Sequence, residues 1–272
     1  MSFRLIPTFR DRLAAAQEHP QPRPLVGGWV CTGSPLVAEI MAGAGLDWLL
    51  VDMEHTPNTL DTVLAQLQAI DGSPATPVVR VPVGDVVTIK QVLDLGAQNI
   101  LVPMVSSAAE AEDVVAAVRY PPRGRRGVGS ALARSARWNR VDDYLANADA
   151  YVSLFVQIEM AAGVDAAAEI AAVDGVDGVF VGPSDLAASL GLIGQQTHPD
   201  VTAGVLRAFE GVRAAGKPVG VNAFDPTAAQ SYIDAGASFV LVGADVALLA
   251  RGSEALAARW IPTADDTARA GY

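Results

Sequence analysis

The chain carries Phe155-Val156-Gln157-Ile158-Glu159 and then Val179-Phe180-Val181-Gly182-Pro183-Ser184-Asp185, two short apolar runs that each end in a carboxylate. An uninterrupted apolar run of this length is what a parallel strand buried on both faces looks like. If the two runs are neighbouring strands of one barrel, Glu159 and Asp185 emerge side by side at their C-terminal ends, where (β/α)8 enzymes keep their chemistry. Two hard oxygen ligands facing one cavity suit a divalent cation such as Mg2+ or Mn2+. Asp185 can also be read simply as a helix cap before Leu186-Ala187-Ala188.

Working outward, eight strand-like runs recur with helix-like segments between them: Leu25–Val30, Trp48–Asp52, Val78–Val81, Ile100–Met104, Val152–Ile158, Gly178–Val181, Pro218–Val221 and Phe239–Val242. Such alternation is expected of βα units around a parallel sheet. Three joints, Ala44-Gly45-Leu46, Leu95-Gly96-Ala97 and Ala235-Gly236-Ala237, place Gly where a helix ends. This repetition favours a closed barrel of equivalent units. At 272 residues the chain is close to the ~250 of one barrel, so residues 1–272 are expected to form a single (β/α)8 TIM-barrel domain of α/β class. After the eighth run, Val246 to Trp260 is Ala-rich and apolar at helical spacing. It either completes its own barrel's core or packs on a neighbouring subunit.

Hydrophobic residues make up 51% of the chain, and 19 Lys+Arg stand against 30 Asp+Glu for a net charge of −11. That balance argues against a nucleic-acid or anionic-membrane partner. Neither a signal-peptide run nor a stretch of ~20 apolar residues is present. Cys31 is the only cysteine, so a disulfide within the chain is excluded and a reducing cytoplasm is the expected compartment. The thiol reads as a small core residue rather than a nucleophile.

Other residues join the same mouth. His55 directly follows a buried strand, whereas His19 and His198 lie in polar, Pro-adjacent contexts and read as structural. Arg80 lies inside an apolar run, where a guanidinium needs an anionic partner; Glu54 is one candidate and an enolate or carboxylate substrate is another. Asp94 at a helix C-terminus opposes the dipole, a conflict that pairing with a His would explain. Arg123-Gly124-Arg125-Arg126-Gly127-Val128-Gly129 looks like either an anion-cradling loop or a solvated surface loop, and it matches no phosphate-binding fingerprint.

Together, Ala42 to Asn58, Asn99 to Val105, Arg119-Tyr120-Pro121-Pro122, Arg126 to Arg134, Val156 to Glu159 and Gly178 to Leu186 resemble the metal-dependent class II pyruvate aldolases of the 4-hydroxy-2-oxoheptanedioate aldolase family. The resemblance implies reversible retro-aldol cleavage of 4-hydroxy-2-oxo acids to pyruvate and an aldehyde. It implies a divalent metal (Mg2+, Mn2+ or Co2+) on Glu159 and Asp185, with no organic cofactor. Arg80 is then expected to stabilise the pyruvate enolate and His55 with Asp94 to handle protons. Trp29 and Gln157 are expected beside the substrate, and the amides of Ser184 and Asp185 on its carboxylate. Arg123, Val128 and Asn222 become candidates for the acceptor side, with Arg123 and Arg125 suggesting an anionic tail. Family members assemble as trimers of dimers with the last helix docked on a neighbour, so a homohexamer is expected. Related alternatives are a malyl- or citramalyl-CoA-type lyase, a sugar-acid (2-keto-3-deoxy acid) aldolase and a non-catalytic barrel.

Overall fold

Along each strand, alternate side chains turn to opposite faces, and the sequence puts different chemistry on the two. The computed structural model describes residues 4–261. Its strands are β1 (Leu25–Val30), β2 (Trp48–Asp52), β3 (Thr76–Arg80), β4 (Asn99–Val102), β5 (Ser153–Ile158), β6 (Gly178–Val181), β7 (Val219–Asn222) and β8 (Phe239–Ala244). They pair in chain order, all parallel, and β8 closes on β1. The (β/α)8 expectation is therefore met, with all eight runs placed to within a few residues.

The helices are α1 (Phe9–Glu18), α2 (Pro35–Ala42), α3 (Leu60–Ile70), α4 (Val86–Asp94), α5 (Ala108–Val118), α6 (Tyr144–Asn147), α7 (Ala161–Asp165), α8 (Ala167–Ala172), α9 (Pro183–Ser189), α10 (Pro199–Ala214), α11 (Pro226–Asp234) and α12 (Asp245–Trp260). Each βα helix runs back beside its strand, so helix C-termini lie at the rim opposite the mouth. The glycines Gly45, Gly96 and Gly236 at three of these ends have φ of 92°, 94° and 101°, a conformation other residues rarely adopt.

Outward-facing residues such as Leu49, Val51, Val79, Val156, Val179 and Val221 pack under the helices. Inward-facing Trp48, Leu50, Val78, Leu101, Phe155, Phe180, Phe239 and Leu241 fill the barrel. At Gly220 a Cβ would lie 2.3 Å from the Phe239 ring, so glycine there makes room for the aromatic layer. Below it, α1 plugs the barrel with Phe9, whose ring lies 4.9 Å from Trp48, 5.2 Å from Phe155 and 5.4 Å from Phe239.

Helix α12 departs from the reading that it completes its own core. Asp245 is its one buried residue, while Leu249, Leu256 and Trp260 are exposed. Among the described residues no helix is long and apolar enough to cross a membrane.

Candidate active site

The inward register that builds the aromatic layer continues to the strand tips, where it delivers polar groups instead. On β2 the inward series is Trp48, Leu50, Asp52; on β3 it is Val78, Arg80; on β5 it is Phe155, Gln157 and then Glu159. Asp52 and Arg80 are register partners, and Arg80 Nε donates to Asp52 Oδ1 at 2.7 Å. Its Nη1 lies 2.8 Å from Glu54 Oε2, the partner expected from sequence. The guanidinium also covers the Trp29 ring at 4.4 Å, so two carboxylates and an indole face hold this buried cation. Sequence reasoning brought Asp52 to the mouth without giving it a role; the two-residue period from Trp48 was the signal that it faces inward.

Glu159 follows β5 and is buried, its Oε1 accepting from the Met104 amide at 2.7 Å and its Oε2 from Gln157 Nε2. Met104 reaches it by taking φ of 61°, an uncommon conformation for a residue with a side chain and a further feature not read from the sequence. Burial pushes the Glu159 carboxyl above its usual range, and the charge of Asp185, in the first turn of α9, pushes the same way. Burial likewise raises Glu54, where Arg80 opposes it and Glu159 adds to it. The mouth thus holds more negative than positive charge.

That imbalance bears on the metal. Among the described residues no group of three or more His, Cys, Asp or Glu side chains forms a cluster able to hold an ion, so the candidate donors are Glu159 and Asp185 with neutral oxygens beside them. Gln157 Oε1 is buried without a hydrogen-bond partner. At Gly182, a Cβ would stand 3.2 Å from Glu159 Oε2, so glycine leaves that carboxylate face open. Hard oxygens, surplus negative charge and an orphaned carbonyl oxygen fit a divalent cation.

His55 lies at the mouth, its amide donating to Asp52 Oδ2 at 3.2 Å and its Nε2 3.9 Å from Glu54 Oε1. It shares a cavity of about 370 Å3 with Trp29, Cys31, Arg80, Asn222 and Phe224. Trp29 Nε1 donates to Asn222 Oδ1 at 2.8 Å. Cys31 lines this cavity instead of sitting in the core, but burial and the nearby Asp245 and Asp52 push its thiol up to about 12, which leaves it inert as a nucleophile. Ser184 borders an adjoining cavity of about 260 Å3. His198 caps α10 by accepting from the Asp200 amide, and His19 accepts from the Gln21 amide; both have the structural roles expected.

Three expectations are corrected within the chain. Asp94 ends α4 at the rim opposite the mouth, where its Oδ1 accepts from Arg126 Nη2 at 3.3 Å, so it does not meet His55 of the same chain. Arg123 and Arg125 follow α5 at that same far rim and pair with Asp149 and Asp113. Val128 is exposed nearby. The Arg-rich segment is therefore neither an open anion cradle nor a purely solvated loop, because Arg123 and Arg125 pair with carboxylates at the surface and Arg126 is fully buried against Tyr120. The physical reason is shared: helix C-termini and strand C-termini lie at opposite ends of a barrel.

Residues 25–252 match the HpcH/HpaI aldolase/citrate lyase family. The chain belongs to this family. It is 52% identical over 252 residues to a 4-hydroxy-2-oxo-heptane-1,7-dioate aldolase of Salmonella arizonae, covering 93% of this chain and 94% of that protein. Its fold is similar to a family protein of Burkholderia cenocepacia J2315, with a TM-score of 0.85 and 40% identity over 91% of this chain and 97% of that one. It is also similar to the citrate synthase SbnG, with a TM-score of 0.80 and 28% identity over 93% and 96%.

Proposed function

We propose that the chain is a carbon–carbon lyase of the aldolase class that cleaves 4-hydroxy-2-oxo acids reversibly to pyruvate and an aldehyde. The observation that carries this reading is the buried Arg80, held by Asp52 and Glu54 and facing the cavity it shares with His55. The names of the family relatives support the same class of reaction.

Glu159 and Asp185 would hold a divalent cation, Mg2+, Mn2+ or Co2+, which supplies Lewis-acid polarisation of the 2-oxo group when bound. Arg80 donates to the 2-oxo oxygen, and because its guanidinium is fixed beforehand it favours the enolate over the ketone. Ser184 and Asp185 amides in the first turn of α9 take the substrate carboxylate. Trp29 and Gln157 bound the pyruvate moiety. In cleavage, the C4 hydroxyl loses its proton to His55, the C3–C4 bond breaks to give the aldehyde and the pyruvate enolate, and His55 returns the proton to C3, which regenerates the base. No Schiff-base lysine is called on: Lys217 Nζ is bonded to Val176 O at 2.7 Å, and Lys90 lies on α4.

The exposed α12 supports assembly into a homo-oligomer, with the trimer of dimers as the proposed form. In such an assembly Asp94 could reach a histidine only across subunits. A single partly buried cysteine suits a cytoplasmic enzyme.

The test is to incubate metal-stripped protein with pyruvate in D2O and follow loss of the methyl proton signal with and without added Mn2+, Mg2+ or Co2+. Metal-dependent exchange that disappears in Arg80→Ala is expected. Absence of exchange with every metal would overturn the pyruvate-aldolase reading.

A further inference from the structure

Where β8 meets β1 at the mouth, the two strands fall out of step. Gly27 pairs with Leu241 but Trp29 pairs with Ala244, so one residue of β1 lies opposite two of β8. Such a bulge re-aims the side chains that follow it. Ala244, in place of Gly243, joins Phe239 and Leu241 in filling the barrel, and Asp245 turns onto the chain leaving β1. There its Oδ1 accepts from the Cys31 amide at 2.9 Å and from the Val246 amide at 2.7 Å. Its Oδ2 accepts from the Thr32 amide at 3.0 Å and from Thr32 Oγ1 at 2.8 Å. Asp245 is 1% exposed, and these four donors fill the acceptor positions of a carboxylate. Hydrogen bonds to an ionised group are the strong ones, so the carboxylate fixes the segment that donates to it.

That segment carries one wall of the cavity at the mouth. Cys31, Ala244 and Val246 line it together with Arg80 and His55. Trp29, two residues before the first held amide, lies against the Arg80 guanidinium at 4.4 Å. Strand β1 ends at Val30, and directly beyond it the grip of Asp245 takes over from the sheet. Asp52 and Glu54 hold the nitrogens of Arg80, while the indole covers its face. A loosened tip of β1 would leave that face without its cover.

Resting on the aldolase reading above, we propose that Asp245 is a positioning residue for enolate formation, one that holds Cys31 and Thr32 and thereby keeps the Trp29 indole against Arg80. Its effect on the reaction passes through Trp29 and not through contact with substrate.

The experiment compares the native protein with Asp245→Asn, which keeps the shape but sets an amide donor against donors. A second variant, Thr32→Val, removes a donor to Asp245 without changing the charge, together with the 3.4 Å contact of Thr32 Oγ1 with the Ser34 amide. Labelling of Cys31, the only cysteine, by an aromatic disulfide in metal-free protein reports whether the segment is held. Faster labelling is expected in both variants, and in Thr32→Val it cannot come from a lost charge. Exchange of the pyruvate methyl protons in D2O is then followed in the metal-loaded proteins. The rate at saturating pyruvate is expected to fall about tenfold in Asp245→Asn, whereas in a Trp29→Leu background the same substitution should change it less than about twofold. Thr32→Val, run in the same two backgrounds, decides the matter if Asp245→Asn does not fold. An equal fall in both backgrounds would show that Asp245 does not act through Trp29, and unchanged labelling or exchange in the folded variants would show that it positions nothing. Either result overturns the proposal while exchange by the native protein leaves the aldolase reading intact. Native protein without metal-dependent exchange would overturn both.

Discussion

Arg80 was legible because a guanidinium in the apolar run Val78 to Val81 has no reason to be there without an anion. The structure supplies two anions and an indole face, and the three contacts together exhaust what an ammonium could do. Arg80→Lys is therefore expected to lower kcat/KM about 10²- to 10³-fold with an unchanged far-UV circular dichroism spectrum. Near-normal turnover would remove Arg80 from its assigned role. Asp52 was read as the end of the second strand and given no role, because the sequence does not show which cation it meets. Its register opposite Arg80 on the neighbouring strand supplies that partner. Asp94 was legible as anomalous and its partner was not: the charge that answers it is Arg126, which lies 32 positions away in a segment without regular periodicity.

Strands and glycine-capped joints were read nearly to the residue, since both follow from short-range pattern. Helix α1 was not read. Its signal was a capping box, in which Thr8 and Asp11 satisfy each other's backbone amides. A comparable local device starts α4, where the Asp85 carboxylate accepts from the amides of Val87 and Thr88. Hydrogen bonds from Thr88, side chain and backbone, and from Val87 outweigh burial and hold this carboxyl below its usual range. A group depressed in the native state contributes stability above its unfolded value and loses it as pH falls through the native one. Asp85→Ala should accordingly cost about 1 kcal/mol at pH 7, with the charge-dependent part of that cost shrinking as pH falls from about 4 through the lower native value. Urea denaturation at pH 7 and pH 3 checks this; equal costs at both would show that the charge plays no part.

Leu249, Leu256 and Trp260 recur at helical spacing along α12 and are 56%, 61% and 74% exposed. Such a stripe marks an interaction surface, and a neighbouring subunit is the occupant proposed for it. Combining Leu249→Asp with Leu256→Asp is expected to shift the protein in sedimentation velocity from an oligomer to smaller species. Sedimentation of both proteins as monomers would show that the stripe is not an assembly surface. The sequence carried the barrel and its eight strands and singled out Arg80 as a misplaced charge, because apolar period, glycine caps and a cation in an apolar run are all written locally. Which polar groups share a rim was left to the fold: Asp52 joins Arg80 across neighbouring strands, while Asp94, Arg123 and Arg125 are carried to the far end because helices return antiparallel to the strands they follow. Contacts of that kind depend on strand register and chain direction, and neither is set by any one stretch of residues.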